Sequence, residues 1–116
     1  MSEHEEQAVF MTTVRYWEAQ IPELKWLHAI PNGGARNAVT GARMKAEGVR
    51  KGIWDVHFPC PRGPYNGLWI EFKYGKNKLS PDQEAFGEFV RAQGYQTGVA
   101  YSAEEGIRIL EEYLNA

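Results

Sequence analysis

Apolar residues recur along the first turns of the chain at helical spacing. Phe10, Val14 and Trp17 lie four and three residues apart and, at about 100° per residue, share a stripe with Glu3 and Gln7. Ser2 with Glu5 three residues on forms a capping box, so the spacing predicts a helix from there to about Ala19. Glu5 then faces water, and Glu6 lies near the edge of the stripe. Four shorter segments read as strands: "KWLHAI", "GIWDVHF", "LWIEFKY" and "YQTGVAYS". The first stops at "PNGGARN", where proline and paired glycines turn the chain into a basic stretch, short helical or irregular, that runs through Glu47. The second and third are joined by "PCPRGPYNG" and predict a hairpin. "LSPDQEAFGEFVRAQGY" carries Ser80 as cap, Pro81 at the first helical position, Gln83 closing a capping box and Gly94 past the end. Ser102 with Glu105 starts a last helix to about Leu114. The order α-β-β-β-α-β-α predicts an α/β fold with a mixed central sheet flanked by helices.

The chain has 116 residues, 43% of them hydrophobic and 24% charged, which suits one globular domain over residues 1–116. Its apolar runs are of strand length, short of the roughly 20 residues that cross a bilayer. The opening "MSEHEEQ" is acidic where a signal peptide is basic, and Cys60 has no second cysteine to pair with. These features predict a cytoplasmic protein with no membrane partner. The formal charge of −2 argues against simple attraction to nucleic acid. Between positions 31 and 78, however, nine basic residues stand against three acidic ones, Glu47, Asp55 and Glu71. A solvated mixed surface and a nucleic-acid-facing one both fit that distribution.

The third strand poses the chemical question. In "GLWIEFKYGKNKLSPDQ", alternation puts Leu68, Ile70 and Phe72 on one face and Trp69, Glu71 and Lys73 on the other. On the second strand Asp55 and His57 share a face, and a hairpin centred on Gly63 sets Asp55 opposite Glu71. Carboxylates so paired come within about 5 Å at Cβ and repel unless a cation lies between them. An exposed Glu71–Lys73 ion pair would be the bland reading, worth about 0–1 kcal/mol. Two acids and a lysine on a half-buried aromatic surface instead suit Mg²⁺, which takes one or two carboxylates and completes its shell with water and phosphate oxygens. That equipment serves phosphodiester hydrolysis.

Asp55 followed by "EFK" resembles the PD-(D/E)XK nuclease superfamily. The ordered segments "HAIPNGG", "EGVRKGIWD", "GLWIEFK", "LSPDQ" and "GYQTGVAYS" are similar to the VRR-NUC domain in its small stand-alone bacterial or phage form. The resemblance covers nearly the whole chain and implies a restriction-endonuclease-like fold. It also implies an endonuclease, dependent on Mg²⁺ or on Mn²⁺ as a substitute, that acts on branched DNA such as Holliday junctions as a homodimer. Asp55 and Glu71 would be metal ligands with the main-chain carbonyl of Phe72, and Lys73 the catalytic lysine. The helical acid and glutamine correspond to Glu3 and Gln7, with Glu6 as the alternative acid. Asn32, Arg36, Arg50, Lys51 and Lys76 are the expected substrate contacts. Lys51 stands where the family name records a second arginine, so a phosphate contact survives but a bidentate one does not. Trp54 stands where proline usually precedes the aspartate.

His57 lies close to this site, but Mg²⁺ prefers oxygen, so a structural or DNA-side role is expected. His28 is expected to be structural, and Trp26, Trp54 and Trp69 to be core residues. The backbone amides of the Asn32–Gly34 loop could meet phosphate. Two competing functions follow from the same residues: a non-catalytic DNA-binding or adaptor module that retains the fold, and a metal-dependent phosphatase for small substrates.

Overall fold

The computed structural model describes residues 1–31 and 38–116. Helix α1 (Glu3–Trp17) starts at the Ser2–Glu5 capping box, with both reciprocal hydrogen bonds formed. After it come β1 (His28–Ala29), α2 (Ala38–Ala46), β2 (Val56–Phe58), β3 (Leu68–Phe72), α3 (Pro81–Ala92), β4 (Gln96–Ala100) and α4 (Ala103–Leu114). The predicted order α-β-β-β-α-β-α is present, and the basic stretch after β1 forms α2.

"KWLHAI" is mostly not a strand. Pro22 begins a 3-10 turn that runs to Trp26, so only His28 and Ala29 pair with β2. Trp26 is consequently not a core residue: it is 62% exposed, with Lys25 Nζ 4.8 Å from its ring centroid. The cation packs over the ring face and shields part of it from water.

The sheet order is β1-β2-β3-β4. The first three strands are antiparallel, while β4 runs parallel to β3 and is reached through α3. A parallel neighbour needs a crossover, and α3 supplies it. The two faces of the sheet are covered differently. Val56, Phe58, Leu68, Ile70 and Phe72 pack into a core with Phe10 and Val14 of α1 and with Leu110 and Tyr113 of α4. A Cβ on Gly106 would come 2.9 Å from both the Phe10 and Phe72 rings, so the absent side chain lets α4 close on the sheet.

The opposite face carries His57, Trp69 and Glu71 and receives α3. Phe86 meets Trp69 edge-on at 4.9 Å, and the Trp54 indole fills the notch at Gly87, where a Cβ would be 2.7 Å from Trp54 Cζ2. Trp54 is only 1% exposed. Helix α3 has the full predicted cap: Ser80 Oγ accepts from Gln83 N–H and Gln83 Oε1 accepts from Ser80 N–H. Ser80→Ala is expected to lower stability by about 1 kcal/mol, read from urea unfolding.

Candidate metal-binding and catalytic site

The site forms where β2 and β3 continue past their shared ladder. Val56 pairs with Ile70, so the same register carried one residue outward sets Asp55 against Glu71. Two hydrogen bonds lock that pairing through the side chains. Asp55 N–H donates to Glu71 Oε1 at 3.1 Å, and Phe72 N–H donates to Asp55 Oδ2 at 2.8 Å. Each carboxylate thus holds a main-chain amide of the strand opposite, which fixes both rotamers. Lys73 Nζ is 3.5 Å from Glu71 Oε2, and both side chains are largely buried, at 12% and 3% exposure. Gln83 Nε2 donates to the same Glu71 oxygen from the first turn of α3, at 2.9 Å.

Glu71 is the single buried charged residue of the described structure. Burial, and then the neighbouring Asp55 carboxylate, push its pKa up to about 8 against the opposing pull of Lys73 and of the Asp55 amide. Burial also raises Asp55, although its bond from the Phe72 amide and the charge of Lys73 work the other way. Without a cation, the fold therefore holds two acids in competition for a proton. The donor chemistry fits a hard ion: two carboxylates side by side, each also accepting from a main-chain amide. Among the described residues no group of three or more His, Cys, Asp or Glu side chains gathers at this or any other point. Such a set suits Mg²⁺, which needs few carboxylates, better than a metal held by an all-protein cage.

His57 lies on the same face, stacked on Trp69 with ring centroids 4.1 Å apart. Burial, and to a lesser degree His28, push its pKa down to about 4, so it is neutral at physiological pH. Its Nε2 is buried without a hydrogen-bond partner among the described residues. His28 meets it edge-on and bonds the Trp26 carbonyl through Nδ1 at 2.8 Å.

The remaining expected residues are scattered. Glu3 and Gln7 are half-buried on α1, and no hydrogen bond or ion pair joins them to Asp55, Glu71 or Lys73 among the described residues. Glu6, the alternative helical acid, is occupied elsewhere: its Oε1 accepts from Ala103 N–H at 2.8 Å and so caps α4. Arg50, Lys51 and Lys76 are exposed. Arg50 lines an open cavity of about 350 Å³ with Ile30, Val49 and Ile53. Asn32 and Arg36, with the Asn32–Gly34 loop, lie outside the described residues.

Gln83 is the site neighbour that the sequence does not single out, because it is fully accounted for as a helix cap; Trp54 stands out as the replacement for proline before Asp55 and as a core residue, but its bond to α3 is visible only in the structure.

The VRR-NUC domain model matches residues 1–104, which include every residue of this cluster. The chain belongs to the VRR-NUC family. A solved structure described as a VRR_NUC domain protein is 27% identical and superposes with a TM-score of 0.79, over 99% of this chain and 89% of that one. No curated protein matches the chain significantly. In this VRR-NUC chain the described residues form a mixed four-stranded sheet with α1 and α4 on one face and α3 on the other. Among the described residues this VRR-NUC chain has no helix long and apolar enough to cross a membrane.

Proposed function

We propose that this VRR-NUC chain is a DNA endonuclease dependent on Mg²⁺, or on Mn²⁺ as a substitute, that hydrolyses phosphodiester bonds in branched DNA as a homodimer. The observation that carries the reading is the interlocked Asp55–Glu71 pair with Lys73 Nζ 3.5 Å from Glu71 Oε2. In this reading Asp55, Glu71 and the Phe72 carbonyl hold the ion. The bound ion supplies charge neutralisation at the scissile phosphate and lowers the pKa of water in the site.

The chain's own groups do the rest. The half-buried Lys73 ammonium, held toward the acids, orients the attacking water and stabilises the charge that builds on the phosphate oxygens. Main-chain amides fix the two carboxylates before substrate arrives, so no reorganisation is needed on binding. Exposed Arg50, Lys51 and Lys76 meet backbone phosphates, contacts that position DNA without reading its sequence. A two-fold dimer would present two sites for the paired cuts that a junction requires.

The test is digestion of a labelled four-way junction and a linear duplex of the same sequence, in Mg²⁺ or in chelator. Cutting of the junction in Mg²⁺ alone is the expected outcome. Equal cutting of both substrates would remove the preference for branches and leave the nuclease. Binding with no cutting in Mg²⁺ would leave the non-catalytic adaptor reading in its place.

A further inference from the structure

We propose that Gln83 is a positioning residue for Glu71, and that the first turn of α3 acts through Gln83 and Trp54 as the clamp that holds the acid pair in register. The inference rests on the metal-dependent reading above.

The carboxamide of Gln83 has one acceptor end and one donor end, and its surroundings require both. Ser80 N–H offers only a donor, so Oε1 faces it, at 2.9 Å. That orientation sends Nε2 to Glu71 Oε2, also at 2.9 Å, and this oxygen accepts from it. The capping box thus aims the amide at the acid. A neutral donor orients a carboxylate without neutralising it, which leaves the negative charge available to a cation. Lys73 forms an ion pair with the same oxygen at 3.5 Å and carries a charge of its own.

The same turn of α3 grips the chain just before Asp55. Trp54 Nε1 donates to the Gln83 carbonyl at 2.9 Å, and its indole fills the Gly87 notch. Gly52, at φ +85°, lies so close to Asp82 that a Cβ would come 2.7 Å from its main chain. A positive φ and a contact this tight admit only glycine. Residues 52–54 are therefore docked on residues 82, 83 and 87, and one of these residues, Gln83, also holds Glu71. The indole thus restrains the backbone just before Asp55 by its attachment to α3.

The test compares Gln83→Leu with Ser80→Ala. Both remove part of the α3 cap, but only Gln83→Leu removes the donor to Glu71. Titration calorimetry with Mn²⁺, without DNA, is expected to show binding about tenfold or more weaker in Gln83→Leu and unchanged in Ser80→Ala. Equal affinity in Gln83→Leu and wild type, or equal losses in the two variants, would overturn the proposal. A second measurement needs no variant and no metal. By NMR, the Gln83 side-chain amide protons are expected to exchange with solvent more slowly than those of exposed Gln20. Equally fast exchange would also overturn the clamp. Slow exchange together with a wild type that binds no Mn²⁺ would instead overturn the nuclease reading and leave the clamp standing.

Discussion

Replacing Lys73 with alanine is expected to slow junction cleavage in Mg²⁺ by about 10²–10⁴-fold while leaving junction binding in chelator close to wild type. The asymmetry follows from where the ammonium sits. Its side chain is 12% exposed and 3.5 Å from Glu71, inside the site rather than on the exposed surface proposed to face DNA. A cation placed there acts on charge that develops during reaction, and such an interaction lowers the barrier without adding to ground-state affinity. Exposed Lys76 should behave in the opposite way: its alanine variant loses affinity, more at low salt, with little change in the rate of bound substrate. Gel-shift titration and single-turnover cleavage on the same preparations separate the two effects. A Lys73→Ala enzyme that cuts at the wild-type rate would remove lysine from the mechanism.

The second large effect concerns stability and its dependence on pH. In the folded chain Glu71 holds its proton up to about pH 8, against an ordinary value of 4.5. Between those limits the folded state binds more protons than the unfolded one, so stability falls as pH rises. The cost of ionising the buried Glu71 is absent below about pH 4.5 and is complete above about pH 8. At about 1.4 kcal/mol for each pH unit within that window, the total is a few kcal/mol, a large share of a small domain's stability. The metal-free protein is therefore expected to melt several degrees lower at pH 8 than at pH 5. Mg²⁺ should reverse the trend, because it binds the ionised acids and stabilises only where they are ionised. Thermal melts in chelator and in Mg²⁺, from pH 5 to 9, check both limbs. Glu71→Gln should flatten the slope in chelator and abolish the response to Mg²⁺. A wild type whose melting temperature ignores pH in chelator would mean that the acid is not held in this environment.

The same geometry explains why such a site persists in a small fold. An acid buried beside another acid destabilises the chain alone, and the structure tolerates it by fixing each carboxylate on a main-chain amide. Stability is lent to the site by the opposite face of the sheet, where Phe10, Phe72 and Leu110 are fully buried.

Local rules were enough for the helices and for the acid pair. The caps at Ser2, Ser80 and Ser102 all form, because a cap depends on residues within one turn of each other. Strand alternation and a hairpin centred on Gly63 placed Asp55 across from Glu71, and Val56 does pair with Ile70 in that register. Strand length was less legible. "KWLHAI" has strand composition, yet Pro22 starts a 3-10 turn and leaves two residues to the sheet, which exposes Trp26.

The sequence by itself determined the order of elements, the helix starts and the pairing of two acids beside a lysine, since each of these follows from periodicity or from neighbours a few residues apart. Tertiary structure alone decided which side chains serve the pair. Gln83 reaches Glu71 across 12 positions, Trp54 reaches Gln83 across 29, and Glu6 is drawn away to Ala103 across 97. A polar side chain bonds whatever the packed helices bring within about 3 Å of it, and that distance exists only after the sheet and its two helical layers have closed.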